Sequence, residues 1–424
     1  MSWPTWLTEI RAGAQSRFDA AGFPTPKLED WRFTNVAPIA RATFHASTNG
    51  VSHAAEFKHF FFDHAARFVF VNGHFVPSLS SSQGLPAGVY AGTIQAALRD
   101  PAQAKVVEKH LARHAEYKEN WQSFVAQNTA QFEDGIFISI PNGVVVEEPI
   151  SVCFIATGDA TAAFARVLVV AGDNSQAAVV ETYAGNAATF TNAVTEIVAG
   201  ANAIVEHYKI QQENAAAFHI GQLTVQQQRD SNVHDHSVSL GGRLVRNDLH
   251  FILDGSGAEA QLNGLYITGG EQHVANHSRI DHAQPHCPSR ELYKGILTGK
   301  SSAVFNGGII VRQIAQKTDA KQSNKNLLLS DDATINTKPQ LEIWADDVKC
   351  THGATIGRLD DEQLFYLRAR GIPEEDARGL LTFAFANELL GRMKAPEVRE
   401  RLEKAVRAKL DSRLGTQDSA REGL

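Results

Sequence analysis

Residues 135–357 repeat one short pattern, and no long helical pattern interrupts it. Each repeat has a turn-like site with glycine or aspartate, then a few small or polar residues, then alternating apolar residues. A repeat of about 30 residues that is built from short strands is typical of a parallel β-solenoid, in which each coil covers the face of the coil before it. The turn-like sites are Gly172, Gly200, Asp230, Gly257, Gly299 and Asp332.

A β-sandwich is the main alternative for this region. A sandwich of antiparallel strands is rich in hairpin turns, and the dipeptides Asn-Gly, Asp-Gly and Gly-Gly that favour such turns all occur in the chain. The repeat favours the solenoid without excluding the sandwich. Parallel pairing between successive coils would decide for the solenoid, and antiparallel pairing in two facing sheets would decide against it.

Helical patterns flank the repeat on both sides. Trp3, Leu7, Ile10, Ala14 and Phe18 recur every three or four residues, which predicts one face of a helix. A second helical stretch is predicted at about residues 101–132, and three more helices follow residue 360. The predicted organisation is therefore a mainly helical region at 1–134, a β-solenoid core at 135–357 and a helical region at 358–424.

Charge and composition exclude several classes of protein. The formal net charge of −7 argues against a nucleic-acid-binding role for the whole chain. No apolar run reaches the roughly 18 residues that a membrane-spanning helix needs. The N-terminus lacks the basic and apolar segments of a secretory signal. Three cysteines that lie far apart form no disulfide framework, so a reducing cytoplasm is the expected location.

Two groups of residues resemble known ligand sites but do not have the required pattern. Residues 295–301 resemble a nucleotide-binding P-loop, but they have three residues between the glycines where the loop needs four. Several histidines cluster in the repeat, next to Cys287, but nearby prolines argue against the helix that a zinc pair at this spacing needs. We expect these histidines to be hydrogen-bonded or stacked on the solenoid, although their roles stay open: His234, His236, His273, His277, His282 and His286.

The segment at residues 346–353 is the strongest candidate for a metal-ligand site. If it is extended, Cys350 and His352 lie on the same face of a strand, about 7 Å apart at their Cα atoms. A thiolate and an imidazole can bind one soft or borderline metal ion together. Two ligands are too few for a closed site, so further ligands must come from elsewhere. The alternative is a buried cysteine beside a turn histidine.

Several segments resemble the SufD family, which assembles iron–sulfur clusters in the SUF system. The longest match runs through residues 323–372, and the resemblance covers nearly the whole chain. The paralogous SufB proteins tend to carry acidic residues after the cysteine and the histidine of residues 346–353, whereas this chain has Thr351 and Gly353. That difference favours the SufD type. The shorter matches are at residues 29–35, 124–130, 134–135, 144–147, 293–295 and 305–307.

The resemblance implies a right-handed parallel β-helix with helical flanks and a role as a non-catalytic scaffold. It implies partners SufB and the ATPase SufC, the latter bound through the C-terminal helices, where Phe383, Phe385 and Leu389 are candidate contacts. It also places Cys350 and His352 at the SufB junction, as ligands of iron or of a transient iron–sulfur cluster. No tightly bound cofactor is expected in the isolated chain, which is also a candidate homodimer.

The sequence leaves two alternative functions open. One is a carbohydrate-active β-helix enzyme, which would need paired carboxylates along an exposed groove. The acidic pairs of this chain lie near the ends of segments, and no export signal is visible: Asp331 and Asp332, Asp346 and Asp347, Asp360 and Asp361. The other alternative is a primary scaffold of the SufB type.

Overall fold

The computed structural model describes residues 3–46 and 51–418. Its helices are α1 (Thr5–Ala21), α2 (Ala37–Arg41), α3 (Ile94–Ala97), α4 (Pro101–His110), α5 (Ser123–Gln131), α6 (Asp361–Ala369), α7 (Glu374–Leu390) and α8 (Pro396–Asp418). Short 3₁₀ helices cover Glu29–Trp31, Val51–Phe60, Pro77–Leu79 and Asn120–Gln122. No helix in these described ranges is long and apolar enough to cross a membrane.

The first seven strands are short, and the later ones mostly span nine or ten residues. The first group is β1 (His45–Ala46), β2 (Ala66–Val71), β3 (His74–Phe75), β4 (Ser81–Ser82), β5 (Tyr90–Thr93), β6 (Ile136–Ile140) and β7 (Ile150–Ala156). The next is β8 (Thr161–Ala171), β9 (Gln176–Gly185), β10 (Phe190–Ala199), β11 (Ile204–Gln212), β12 (Phe218–Gln227), β13 (Asn232–Ser239) and β14 (Leu244–Leu253). The last is β15 (Glu259–Thr268), β16 (His273–His282), β17 (Pro288–Leu297), β18 (Ser302–Val311), β19 (Asp319–Leu328), β20 (Thr334–Ile343) and β21 (Lys349–Gly357).

Successive strands of the repeat alternate between two sheets. Sheet A follows the order β20-β18-β16-β14-β12-β10-β8-β6-β5, and sheet B follows β21-β19-β17-β15-β13-β11-β9-β7-β2-β3. From β6 and β7 onward, every pairing between one coil and the next is parallel. This confirms the β-solenoid and rules out the sandwich.

The inner faces of the two sheets enclose one long core. Alternate residues of each strand point into it, among them Val179, Val205, Phe251 and Phe305, all of which are fully buried. Most strands are also buried on their outer faces because the flanking helices cover them. The N-terminal helices pack on sheet A, where Trp31, Phe124, Phe190, Phe218 and neighbouring residues form a second apolar cluster.

The N-terminal region differs in two ways from the helical region predicted for residues 1–134. It contributes strands to both sheets, since β2 pairs with β7 and β5 pairs with β6. The helix predicted at 101–132 is two helices, α4 and α5, with a loop between them. That loop folds over the buried carboxylate of Glu196, which accepts hydrogen bonds from the backbone N–H groups of residues 112–115. A continuous helix would leave no free N–H groups there.

The three predicted C-terminal helices are present as α6, α7 and α8. Helices α7 and α8 lie along the outer face of sheet B, against Tyr208, Leu265, Ile296 and other apolar residues of five successive strands. Polar contacts fix this packing: Lys294 donates a 2.5 Å hydrogen bond to Glu388, and Lys394 donates one of 2.7 Å to Glu206. The helices therefore cover a side of the solenoid rather than its last coil.

Candidate functional site: the open end of the solenoid

The last coil, made of β20 and β21, ends both sheets. Strand β20 pairs only with β18, and β21 pairs only with β19, within the part of the chain that the structure describes. Each therefore presents one unpaired backbone edge, which is a ready template for another strand. Large apolar side chains are exposed around this edge: Ile343, Trp344 and Ile356, of which Trp344 is 57% exposed.

Cys350 and His352 both lie on β21, as the alternation of the sequence predicted. Cys350 is next to Ala320 of β19 and is partly buried among Ile309, Ala315 and Ala345, so its side chain points into the solenoid. His352 is two residues further on and shares that inner face. It is exposed, because no later coil covers it in the described residues.

The surroundings of Cys350 do not yet favour metal binding. Burial raises the pKa of its thiol above the ordinary value, and the carboxylate of Asp319 adds to the rise. Cys350 therefore needs a nearby positive charge or a metal ion before its thiol can ionise to a thiolate ligand. No group of three or more potential metal ligands exists among the described residues. Cys350 and His352 are therefore two candidate ligands that belong to no larger group of potential ligands in the described structure.

Four of the six candidate histidines contact local partners on the solenoid. His234 lies 2.7 Å from Glu206, and His236 stacks on the ring of Tyr208, both on the outer face of sheet B. Hydrogen bonds hold two others, since His273 contacts Thr34 and Ser302, and His282 contacts Ser289. His277 lines a cleft beneath residues 26–33, and His286 occupies a turn with positive φ.

The paired aspartates also have local structural partners. Asp331 lies 2.5 Å from Arg358, Asp347 accepts a hydrogen bond from Lys317, and Asp360 caps the first turn of α6. These contacts stabilise turns and a helix end, where short polar side chains are favoured.

Comparison with known proteins agrees with this architecture. Residues 2–152 match the SufBD protein N-terminal region, and residues 154–385 match the SufBD core domain of SUF-system iron–sulfur cluster assembly. The chain belongs to the SufBD family.

Relatives with this similarity extend over almost the full chain. An iron–sulfur cluster assembly SufBD family protein of Synechocystis is 33% identical over 94% of this chain and 90% of its own length. The iron–sulfur cluster assembly protein SufD of Escherichia coli is 33% identical over 93% of this chain and 90% of its own length. SufD of Bacillus subtilis is 27% identical over 96% and 94%, respectively. The names of these relatives describe assembly proteins rather than enzymes.

The C-terminal helices of this SufBD protein place the three predicted partner contacts differently. Leu389 is 0% exposed and packs against sheet B, so it is a core residue and has no surface to offer a partner. Phe383 and Phe385 are half-buried; the Arg407 guanidinium covers the first at 3.5 Å, and the Lys294 ammonium lies 4.2 Å from the second. Their role in partner binding stays a prediction.

Other side chains of these helices form the exposed apolar surface. Phe365 is 73% exposed, Tyr366 57% and Leu380 47%. Phe365 and Tyr366 lie on α6, and Leu380 lies on α7 beside a cleft that Phe383 and Arg407 also line. Sequence reasoning concentrated on the apolar density of α7 and missed α6. The signal for α6 was its pair of adjacent aromatic residues, which no single buried face accommodates.

Two of the family-like segments have structural roles that the sequence did not reveal. In residues 29–35, the Trp31 ring is buried under the Arg246 guanidinium at 3.6 Å, and the indole N–H donates to the Trp121 carbonyl. In residues 124–130, Asn128 donates hydrogen bonds to the carbonyls of Ala165 and Asn192. Both segments fix the N-terminal region to sheet A.

Proposed function

We propose that this chain is a SufD-type, non-catalytic subunit of a SUF assembly complex. It pairs with SufB at the open end of the solenoid and binds SufC through the exposed face of α6 and α7. The observation that carries the proposal is the position of Cys350 and His352 on the unpaired edge strand β21. A pair of soft and borderline ligands at a free edge suits a site that two chains complete together.

The open end supports strand pairing with a second solenoid. Its free edge offers backbone hydrogen bonds, and Trp344 and Ile356 offer apolar area beside it. A partner strand along β21 would cover His352 and bring its own ligands near Cys350. The iron or nascent cluster is the cargo of this site, held between the chains until it is passed on. The same edge would support a homodimer of the isolated chain.

Binding of the ATPase is best tested with point variants. Removal of α6–α8 would uncover the apolar outer face of sheet B and leave Lys294 without its partner Glu388, so a loss of binding would be ambiguous. Phe365→Ala and Tyr366→Ala remove exposed rings without touching that packing. Phe33→Ala is a matched control, because Phe33 is 45% exposed and belongs to the N-terminal region.

The decisive experiment is co-expression with SufB and SufC, followed by affinity purification and analysis of iron and sulfide. We expect the wild-type chain to retain both proteins. Ile356→Lys should lose SufB, and Phe365→Ala with Tyr366→Ala should lose SufC. Purification of the wild-type chain without SufB and SufC would contradict the proposal. Retention of SufB by Ile356→Lys would contradict the docking edge.

A further inference from the structure

One column of inner-face residues leads from the open end into the solenoid. His352 of β21 is in register with Gln322 of β19, and Gln322 is in register with Glu291 of β17. Adjacent strands are about 4.8 Å apart, so the Cα of Glu291 lies about 10 Å inward from that of His352. Gln322 and Glu291 are each 3% exposed. The column thus joins the exposed ligand site to a carboxyl group in the core.

Gln322 and Glu291 interact directly, and both keep unused hydrogen-bonding capacity. The amide Nε2 of Gln322 donates a 2.6 Å hydrogen bond to Oε2 of Glu291. Oε1 of Gln322, Oε1 of Glu291 and Oγ of Ser278 on the facing sheet have no hydrogen-bond partner among the described residues. Buried oxygens without protein partners are normally satisfied by water or by an extra proton. A protonated carboxyl group supplies that proton itself.

The local packing reserves space for this pair. Gly307 of β18 faces the column, and a Cβ at that position would lie 2.3 Å from Nε2 of Gln322. A side chain at residue 307 would have to displace the Gln322 amide, so glycine there leaves the amide room to reach Glu291.

In the described part of the chain, Glu291 makes no ion pair, and the polar side chains that act on it are those of Ser278 and Gln322. His282 also faces inward, but burial lowers its pKa to about 4, so it is neutral at pH 7. The other titratable groups on this side of the core are Tyr266, Tyr293, Asp235, Cys350 and His352.

Burial without a counter-ion has a direct electrostatic effect. Desolvation raises the pKa of Glu291 to about 7, although the nearby polar side chains of Ser278 and Gln322 oppose the rise. Both protonation states are therefore accessible near neutral pH. That is the property required of a group that takes up and returns protons.

We propose that Glu291 is an internal proton-exchanging site that communicates with the open end through Gln322. This role rests on the proposed function. When the sulfur of a thiol or hydrosulfide binds metal at Cys350 and His352, the sulfur loses a proton, and Glu291 accepts that proton. The S–H bond breaks, a sulfur–metal bond forms, and an O–H bond forms on the Glu291 carboxylate. No electrons are transferred. A partner that covers the open end excludes bulk water, which makes an internal base necessary.

The test uses the isolated full-length chain and does not depend on cluster assembly. Titration of ¹³C-labelled glutamate carboxyl groups by NMR should show one group that changes protonation near pH 7. Glu291→Gln should remove that signal, whereas Glu342→Gln, a control at the exposed side of β20, should leave it. Gln322→Leu should shift the signal, and Gln340→Leu should not. A Glu291 carboxyl that stays ionised at pH 5, or protonated at pH 9, would overturn the proposal.

The second arm measures the pH profile of cluster assembly by the complete complex. Wild type should stay active above pH 7, where Glu291 is ionised and can accept a proton, and Glu291→Gln should lose activity there severalfold. An unchanged profile would overturn the role in assembly. The proposed function fails separately if Cys350→Ala and His352→Ala assemble clusters normally, because the NMR titration of Glu291 does not depend on those residues.

Discussion

The two ends of the solenoid are built from the same kind of coil but finish differently. At the first end, β3, β4 and β5 pair antiparallel with the solenoid strands, and Phe75, Leu85 and Val89 pack against its core. At the last end, β20 and β21 keep free edges, and Trp344 and Ile356 are exposed. One end is thus closed by the chain itself, and the other keeps free strand edges in the described part of the chain.

The cores near the two ends also differ. Phe68, Phe70 and Phe154 fill the first coil, whereas inner positions of β19 carry Gln322, Asn324 and Asn326. An apolar core maximises stability, while buried polar side chains have to be matched by hydrogen bonds. The core is therefore apolar in the first coil and more polar in β19, next to the last coil. Four predictions test this difference, from the largest expected effect to the smallest.

The stability of the solenoid near its closed end should depend strongly on one buried ion pair. Arg166 and Glu196 are both 0% exposed and lie 2.6 Å apart. Although burial opposes ionisation of Glu196, the Arg166 guanidinium and the loop N–H groups hold its pKa below the usual range. Glu196→Gln should cost about 3–5 kcal/mol of unfolding free energy, because it leaves Arg166 charged and unpaired. Urea denaturation measures this.

Its control is an ion pair at the open end. Asp331 and Arg358 are both highly exposed, so Asp331→Asn should leave the denaturation midpoint unchanged. Equal losses from Glu196→Gln and Asp331→Asn would show that the two halves do not differ.

Near the open end, Glu291→Gln should increase stability above neutral pH. The pKa of Glu291 is raised from 4.5 to about 7, so ionisation in the folded chain opposes folding. This cost is absent below pH 4.5, grows as the pH rises, and is complete above pH 7, where it reaches about 3 kcal/mol. Denaturation of wild type and variant should show a much larger gain at pH 8 than at pH 5. A loss at pH 8 would contradict the unpaired carboxyl.

A substitution at the free edge of β21 should weaken association with a partner more than it affects folding. Ile356→Lys places a charge beside β21 and should weaken SufB binding at least tenfold, or about 1.4 kcal/mol. Calorimetry measures the affinity. Val145→Lys is the matched control, because Val145 is 46% exposed but lies near the closed end. Equal weakening by both variants would point to a general charge effect.

The smallest effects on stability should come from the ligand candidates. Cys350→Ala should cost about 1 kcal/mol, since the thiol is only partly buried, and His352→Ala should cost less because it is exposed. Both variants should nevertheless reduce cluster assembly in cells that depend on the SUF system, with His352→Ala the more severe. Melting curves and complementation measure the two effects. Full complementation by both variants would return these residues to a structural role.

Local patterns predicted the solenoid, the helical ends and the shared face of Cys350 and His352. These follow from residues that are close in sequence, because strand alternation and helical spacing are local properties. The repeat also predicted parallel stacking, since each coil has to cover the one before it. The split between α4 and α5 was missed because its cause, Glu196, is more than 80 residues away from the loop that it organises.

Only the tertiary structure shows which of these side chains are buried and which are exposed. The apolar density of α7 was visible in the sequence, but its burial at Leu389 depends on sheet B, which is built from residues far earlier in the chain. The link from His352 through Gln322 to Glu291 joins three strands about 30 residues apart, and only their register brings it together. Sequence determines which residues alternate inward within a strand. Register between strands depends on turn lengths and packing along the whole solenoid, so it becomes visible only in the folded chain.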